Sequence, residues 1–337
     1  MDIWTEILQT ARQAPSPHNV QPWRVRLLPD GEADLFIEKR RTLPREDVTG
    51  SFIILTMGLF IEALAVLAAN RSYQLTYLLH REPSEYTPEH IARAEGDLLA
   101  FARLRLRWVA GLPPSGFDDA LFLKRRTSRV TLSPDPVPAE AAGAFADLAR
   151  AWGHRYEQFG DPPLVERVLA RNTDAVFKDL NAPDYHGEII EWFRFTDRAA
   201  RRTRDGLDYR CMNASRPSFW LAAKFPSLLR LPVLRHLFGR TYRRQLGNVP
   251  TVAVLAGAFW RPADAFEAGR FLLRFWLEAA RHDLYIHPYG NLVTNKAAAD
   301  WCLRELGVPG IWLIFKIGFS AVPPKSYRRS VEEVLIA

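Results

Sequence analysis

Cysteine is nearly missing from this 337-residue chain: Cys211 and Cys302 stand far apart and form no C-x-x-C pair. Neither a disulfide framework nor a zinc knuckle is expected. His282 and His287 lie five apart with no carboxylate cluster beside them, so no metal site is expected either. No G-x-S-x-G, G-x-G-x-x-G or Walker loop occurs, which argues against a hydrolase, a Rossmann dehydrogenase and a P-loop enzyme. Helix-turn-helix, zinc-finger and RNA-binding signatures are also missing, and no nucleic-acid partner is expected. The N-terminal Met1-Asp2-Ile3-Trp4-Thr5-Glu6 is acidic and lacks the basic region of a secretory signal, so the expected location is cytoplasmic. Lysine is scarce, at seven against 38 arginines. A planar guanidinium fork matches phosphates and carboxylates, so the bias suits a small anionic ligand.

What is present is ordinary in bulk: 48% hydrophobic and 25% charged residues, a net charge of +7 and a pI near 9.5. The length is comfortable for two domains and a substantial core. One run, residues 52–69, is apolar apart from Thr56, Gly58 and Glu62. It sits at the lower limit for a membrane span, and Glu62 would be costly in lipid. A helix buried on all sides explains it better, and no membrane partner is expected.

Along the chain, Ile3, Trp4, Ile7, Leu8 and Ala11 take helical spacing. Trp23, Val25 and Leu27 alternate with arginines, a Pro29-Asp30-Gly31-Glu32 turn follows, and Leu35 and Ile37 alternate again, as in a β-hairpin. Strands are predicted at 73–80, 104–108, 252–258 and 311–317, and helices at 139–152, across 161–205 and at 264–282. Pro113-Pro114-Ser115-Gly116 is the best linker, giving domains 1–114 and 115–337. Residues 206–245 read as irregular, aromatic and lid-like. The mixture predicts a layered α+β fold.

The chemistry centres on Ala14-Pro15-Ser16-Pro17-His18-Asn19-Val20-Gln21-Pro22-Trp23. Its prolines predict a stiff, extended backbone carrying short polar side chains. A second cluster, Arg125-Arg126-Thr127-Ser128-Arg129, ends a predicted helix; it could complement the helix dipole or grip a phosphate. Tyr285-Ile286-His287-Pro288-Tyr289-Gly290-Asn291 reads as a loop or helix-to-helix turn, with Gly290 permitting close backbone approach. Lys325-Ser326-Tyr327-Arg328-Arg329 closes the chain, and an arginine face at Arg194, Arg198 and Arg201 suits solvent or an anionic substrate.

The first stretch resembles the Ala-Pro-Ser-x-x-Asn-x-Gln-Pro-Trp signature of the FMN-dependent nitroreductase family. The second is similar to that family's Arg-x-Ser-x-Arg phosphate motif, with Thr127 in the serine position. The resemblance implies that Pro15, Ser16, Pro17, Asn19 and Gln21 meet the flavin ring. It also implies that Arg125, Arg126, Thr127 and Arg129 serve the phosphate or ribityl chain, that Pro288, Tyr289 and Gly290 pass the ring, and that Arg328 returns to the phosphate. In ordinary members the arginine motif precedes the Pro-Ser-Asn-Gln motif, and each flavin takes one motif from each of two subunits. Here the order is reversed, which resembles the double-length, Acg-type branch. The implied fold is a nitroreductase-like layered α/β/α arrangement of two fused halves, an intrachain pseudo-dimer. The implied protein is a monomer or homodimer with one FMN per chain, acting on a small-molecule substrate by ping-pong transfer, with NAD(P)H as a candidate donor. The rival reading is an FMN-sequestering protein without turnover, its ring covered by the lid-like stretch.

Overall fold

The alternation of Trp23, Val25 and Leu27 with arginines does produce a hairpin strand, with the apolar positions turned inward. In a computed structural model, which describes residues 2–227 and 231–336, the strands in chain order are β1 (Trp23–Leu27), β2 (Ala33–Glu38), β3 (Tyr73–Leu79), β4 (Leu98–Trp108), β5 (Arg155–Phe159), β6 (Phe193–Arg194), β7 (Leu207–Asp208), β8 (Val252–Ala256), β9 (Tyr285–Pro288), β10 (Ile311–Gly318) and β11 (Leu335–Ile336). Residues 228–230 of the expected lid-like stretch lie outside the described residues. The chain forms two compact units. One comprises Met1–Arg125, Phe259–Leu277 and Tyr327–Ala337, the other Arg126–Ala258 and Glu278–Ser326. A single cut near residue 114 therefore does not describe the chain. Turn composition locates a bend, but it cannot reveal that distant helix and tail segments return to the first unit.

The first unit carries a five-stranded sheet in the order β11-β1-β2-β4-β3. β1 and β2 pair antiparallel with Val25 opposite Leu35, and β11 adds to β1 in parallel with Leu335 opposite Val25. Helix Ser51–Ala69 is held at its start by Asp47, which accepts from the backbone N–H groups of Phe52 (3.1 Å) and Ile53 (2.7 Å). Trp23 stacks on Phe60 at 4.6 Å between ring centroids.

This helix is long and apolar enough to cross a membrane, yet 83% of its apolar window is buried inside the protein. Its charged residue explains how. Glu62 is fully buried and accepts from Arg270 (2.9 Å) and Arg274 (2.5 Å) of helix Pro262–Arg281. The backbones meet closely at two glycines: a Cβ on Gly58 would overlap the Phe266 carbonyl oxygen, and one on Gly269 the Leu55 carbonyl oxygen.

The second unit carries an antiparallel sheet in the order β5-β8-β10-β9, its central strand β8 buried at every residue. Two sequence expectations change here. Residues 285–288 form strand β9 paired to β10, with His287 opposite Lys316, rather than a loop or helix-to-helix turn. Much of the lid-like stretch is regular, in helices Arg216–Lys224 and Pro232–Leu246, because its arginines and leucines tolerate helix as well as coil. Largely antiparallel sheets with helices in both units make the class α+β.

Alanine at a helical glycine ordinarily gains about 0.5–1 kcal/mol. Gly58→Ala and Gly269→Ala should instead destabilise the protein, by about 1–3 kcal/mol each, because the added methyl must displace backbone. Urea unfolding curves check the sign, and a gain for both would disprove the close crossing.

Candidate functional site

The signature loop is not extended. Pro17–Asn19 form a tight turn, and His18 (φ 48°), Asn19 (φ 57°) and Gln21 (φ 51°) all adopt the left-handed region. Non-glycine residues there cost of order 1–3 kcal/mol each and persist only where surroundings fix them. Prolines restrain their own φ and bias the residue before them, so they could not announce what His18 and Asn19 do, and Gln21 takes its left-handed φ against the bias of Pro22. Ser16 Oγ accepts from the Gln21 backbone N–H at 3.0 Å. The Asn19 amide donates to the Tyr327 carbonyl (3.0 Å) and accepts from Arg328 Nη1 (2.6 Å). The Gln21 amide donates to the Asn19 carbonyl (3.2 Å) and accepts from the Arg329 backbone N–H (2.8 Å). The two amides thus tie the signature to the C-terminal segment.

Arg329 is itself anchored. Its Nη1 donates to Glu38 at 3.0 Å, and Glu38, only 2% exposed, also pairs with Arg24, Arg40 and Arg41. Burial alone would raise the Glu38 pKa, but Arg329, Arg40 and Arg41 overcome it and hold the carboxyl below its usual range.

Arg125 has a different environment. It is buried, its Nη2 donates to the Gln13 carbonyl at 3.1 Å, and its guanidinium lies 4.8 Å from the Trp276 ring centroid. Its Nε has no hydrogen-bond partner, and no carboxylate among the described residues pairs with it. Burial, with the like charge of Arg328 added, pushes its pKa down to about 9. A buried guanidinium beside the half-buried Arg328, whose like charge it meets, forms a natural seat for an anion.

The rest of the arginine motif belongs to the second unit. Arg126 donates to the Pro323 carbonyl (2.6 Å) and Arg129 to the Cys211 carbonyl (3.2 Å). Thr127 makes a parallel bridge to Ile286, and the Ser128 N–H donates to the Ile286 carbonyl at 3.0 Å, which sets the motif on the edge of β9. Pro288, Tyr289 and Gly290 follow directly. The Tyr289 hydroxyl is buried without a partner, and burial raises its pKa well above the ordinary value. Gly290 has φ −53° and open space where a Cβ would stand, so the fold itself imposes no glycine there.

The predicted residues therefore fall into two sets. Pro15, Ser16, Pro17, Asn19, Gln21, Arg125 and Arg328 lie in the first unit; Arg126, Thr127, Arg129, Pro288, Tyr289 and Gly290 lie in the second. The arginine face does not form as one: Arg194 pairs with Asp205, whereas Arg198 and Arg201 are exposed.

Sequence reasoning missed Gln13, Trp276 and Lys316, and named Arg329 only as part of the closing basic motif. Lys316 had a signal, a single cation inside the apolar run Ile311–Gly318. It is fully buried, and its Nζ donates to the Val130 carbonyl (2.7 Å) and to the Leu246 carbonyl at the end of helix Pro232–Leu246 (2.9 Å). It fastens the chain just after Arg129 to a helix C-terminus, where a cation is favoured. Burial, with the Arg129 charge added, pushes its pKa down to about 7. His287 is depressed by burial and by the charges of Arg129 and Lys316.

No family model matches the chain. The fold class is α+β, and curated relatives bear out the resemblance to the nitroreductase family. One, provisionally named NAD(P)H nitroreductase Acg, of Mycobacterium tuberculosis, is 24% identical over 99% of this chain and 95% of its own length. Another, provisionally named NAD(P)H nitroreductase Rv3131, from the same organism, is 27% identical over 55% of this chain, which spans about half (49%) of that relative. Among solved structures, a provisionally named nitroreductase of Anabaena variabilis aligns over 92% of this chain and 82% of its own, at 11% identity and a TM-score of 0.47.

The Lys316 pKa lies below its ordinary 10.5 when folded, so between about 7 and 10.5 the unfolded chain binds the extra proton. Stability contributed by this group therefore rises with pH across that window. Thermal unfolding of the wild type and Lys316→Met at several pH values should show the difference shifting toward the wild type from pH 7 to 10. A constant difference would mean that the amine titrates alike folded and unfolded.

Proposed function

We propose that the chain is an FMN-dependent oxidoreductase of nitroreductase type, with one FMN per chain and both motifs supplied by that chain as two fused nitroreductase-like halves. The observation that carries the reading is the buried Arg125, unpaired by any carboxylate among the described residues and repelled by Arg328. A phosphate would relieve that repulsion and accept from the orphaned Nε. The open Cβ side of Gly290 and the buried, unpartnered Tyr289 hydroxyl also fit a planar ligand passing closely.

FMN, when bound, accepts reducing equivalents from one molecule and hands them to another. The chain's part is to hold and orient it. Arg125 and Arg328 would grip the phosphate, aided by Arg126, Thr127 and Arg129. Asn19 and Gln21, whose amides are committed to the C-terminal segment, would keep the signature loop in its strained shape and so fix the groups that meet the ring. Pro15, Ser16, Pro17, Pro288, Tyr289 and Gly290 would line the ring. NAD(P)H as donor is supported by the names of the relatives. The acceptor would be a small organic molecule.

Arg125→Ala with Arg328→Ala should weaken FMN by about two to four orders of magnitude and riboflavin much less, because charge-assisted bonds to phosphate contribute about 1.5–3 kcal/mol each. Isothermal titration of both ligands decides, and equal losses would show that these arginines do not hold the phosphate. Gly290→Ala should leave the melting temperature within about 1 °C of wild type, since an exposed position with no steric demand changes stability by only a few tenths of a kcal/mol. It should nonetheless weaken FMN. Unchanged affinity would remove the loop from the ring. NAD(P)H oxidation by the FMN-loaded protein separates turnover from sequestration.

A further inference from the structure

We infer that helices Arg216–Lys224 and Pro232–Leu246 form a docking face for an anionic lipid surface, a property separate from the flavin reading and contrary to the expectation of no membrane partner. Residues 209–246 hold eight arginines and lysines and no aspartate or glutamate, against a net +7 for the whole chain. The same stretch exposes Trp220 (45%), Phe225 (45%), Leu231 (53%), Val233 (79%) and Leu237 (58%), five of the twelve large apolar side chains exposed among the described residues. Trp220 and Phe225 meet edge to face at 5.5 Å.

The arrangement on each helix is directional. Val233 and Leu237 are one turn apart on the exposed face of helix Pro232–Leu246, and Arg240 and Arg244 continue that face toward the C-terminus. Neither Arg240 nor Arg244 has an acidic partner among the described residues. On helix Arg216–Lys224, Trp220 stands one turn from Lys224 on the exposed side. Arg216 and Arg243 are paired, with Asp197 and Glu166, and so count for less. Isolated apolar tips bordered by cations suit the boundary between headgroups and acyl chains. The tips enter the apolar layer while the guanidiniums stay among anionic headgroups. A protein partner would need acids matched in position to each arginine. A bilayer supplies negative charge continuously, and each cation near such a surface adds about fivefold in affinity.

Flotation of the intact protein with phosphatidylcholine–phosphatidylglycerol vesicles, compared with phosphatidylcholine vesicles, at low and high salt, tests this. Binding should need phosphatidylglycerol and fall with salt. Arg240→Ala with Arg244→Ala should weaken it about thirtyfold, and Val233→Asp with Leu237→Asp should abolish it. Both variants change exposed side chains, so their melting temperatures and circular dichroism should match wild type. The proposal is overturned by failure to float, by equal binding to both vesicle types, or by a wild-type dimer in vesicle-free sedimentation that Val233→Asp with Leu237→Asp dissociates. The last result would assign the patch to a second copy of the chain.

Discussion

The buried carboxylate of Glu38 organises the first unit. Stripping water from one carboxylate costs several kcal/mol, and a single ion pair seldom recovers it. Here four arginines share the charge, so the cost is spread over a network. One of the four is Arg329, near the far end of the chain, and its backbone N–H donates to the Gln21 amide oxygen. The short parallel strand β11 on β1 secures the same tail a few residues later. The left-handed turn of the signature loop thus rests on groups drawn from both ends of the sequence, which is what a strained loop requires if it is to keep one shape.

Set against that network, Arg125 is informative through its company. The arginines around Glu38 are satisfied by a carboxylate; Arg125 is offered a carbonyl, an indole face and another cation. Even with its pKa lowered to about 9, Arg125 keeps its charge at neutral pH and cannot escape burial by losing its proton. Lys316 can. Its two carbonyl contacts hold it in place while its pKa falls to about 7, so the second unit carries a buried amine near its point of half-protonation.

Local pattern was legible wherever one face of an element is buried. The hairpin around Pro29-Asp30-Gly31, the apolar helix with Glu62 inside it and the strands β8 and β10 all follow from periodicity or unbroken hydrophobicity. The motif residues could be read as chemistry, but their backbone could not. Proline content suggested extension, whereas hydrogen bonds from residues 327–329 impose a left-handed turn on His18, Asn19 and Gln21. Strand β9 was missed for a related reason. Its Pro288 and the following Gly290 are turn-formers locally, and only pairing with β10 makes residues 285–288 a strand. The discontinuous units were hidden because close packing at Gly58 and Gly269 joins segments two hundred residues apart.

The distribution of acids also separates the ways this chain uses arginine. Acid-bearing neighbours turn guanidiniums into structure, as at Glu38 and at Glu62, where Arg270 and Arg274 make an otherwise intolerable buried carboxylate the link between two helices. Where acids are withheld, the same side chain is left to seek an anion from outside. That happens in the interior at Arg125, and on the surface across the acid-free residues 209–246. The environments differ in what they admit. A buried, confined guanidinium suits one small anion of fixed geometry such as a phosphate, because desolvation and directionality both favour a bidentate partner. Exposed arginines beside Val233 and Leu237 gain nothing from confinement and everything from charge density, which an extended negative surface provides. Both consequences follow from the same bias toward arginine, and it is the absence of aspartate and glutamate nearby that decides which outcome each cluster takes.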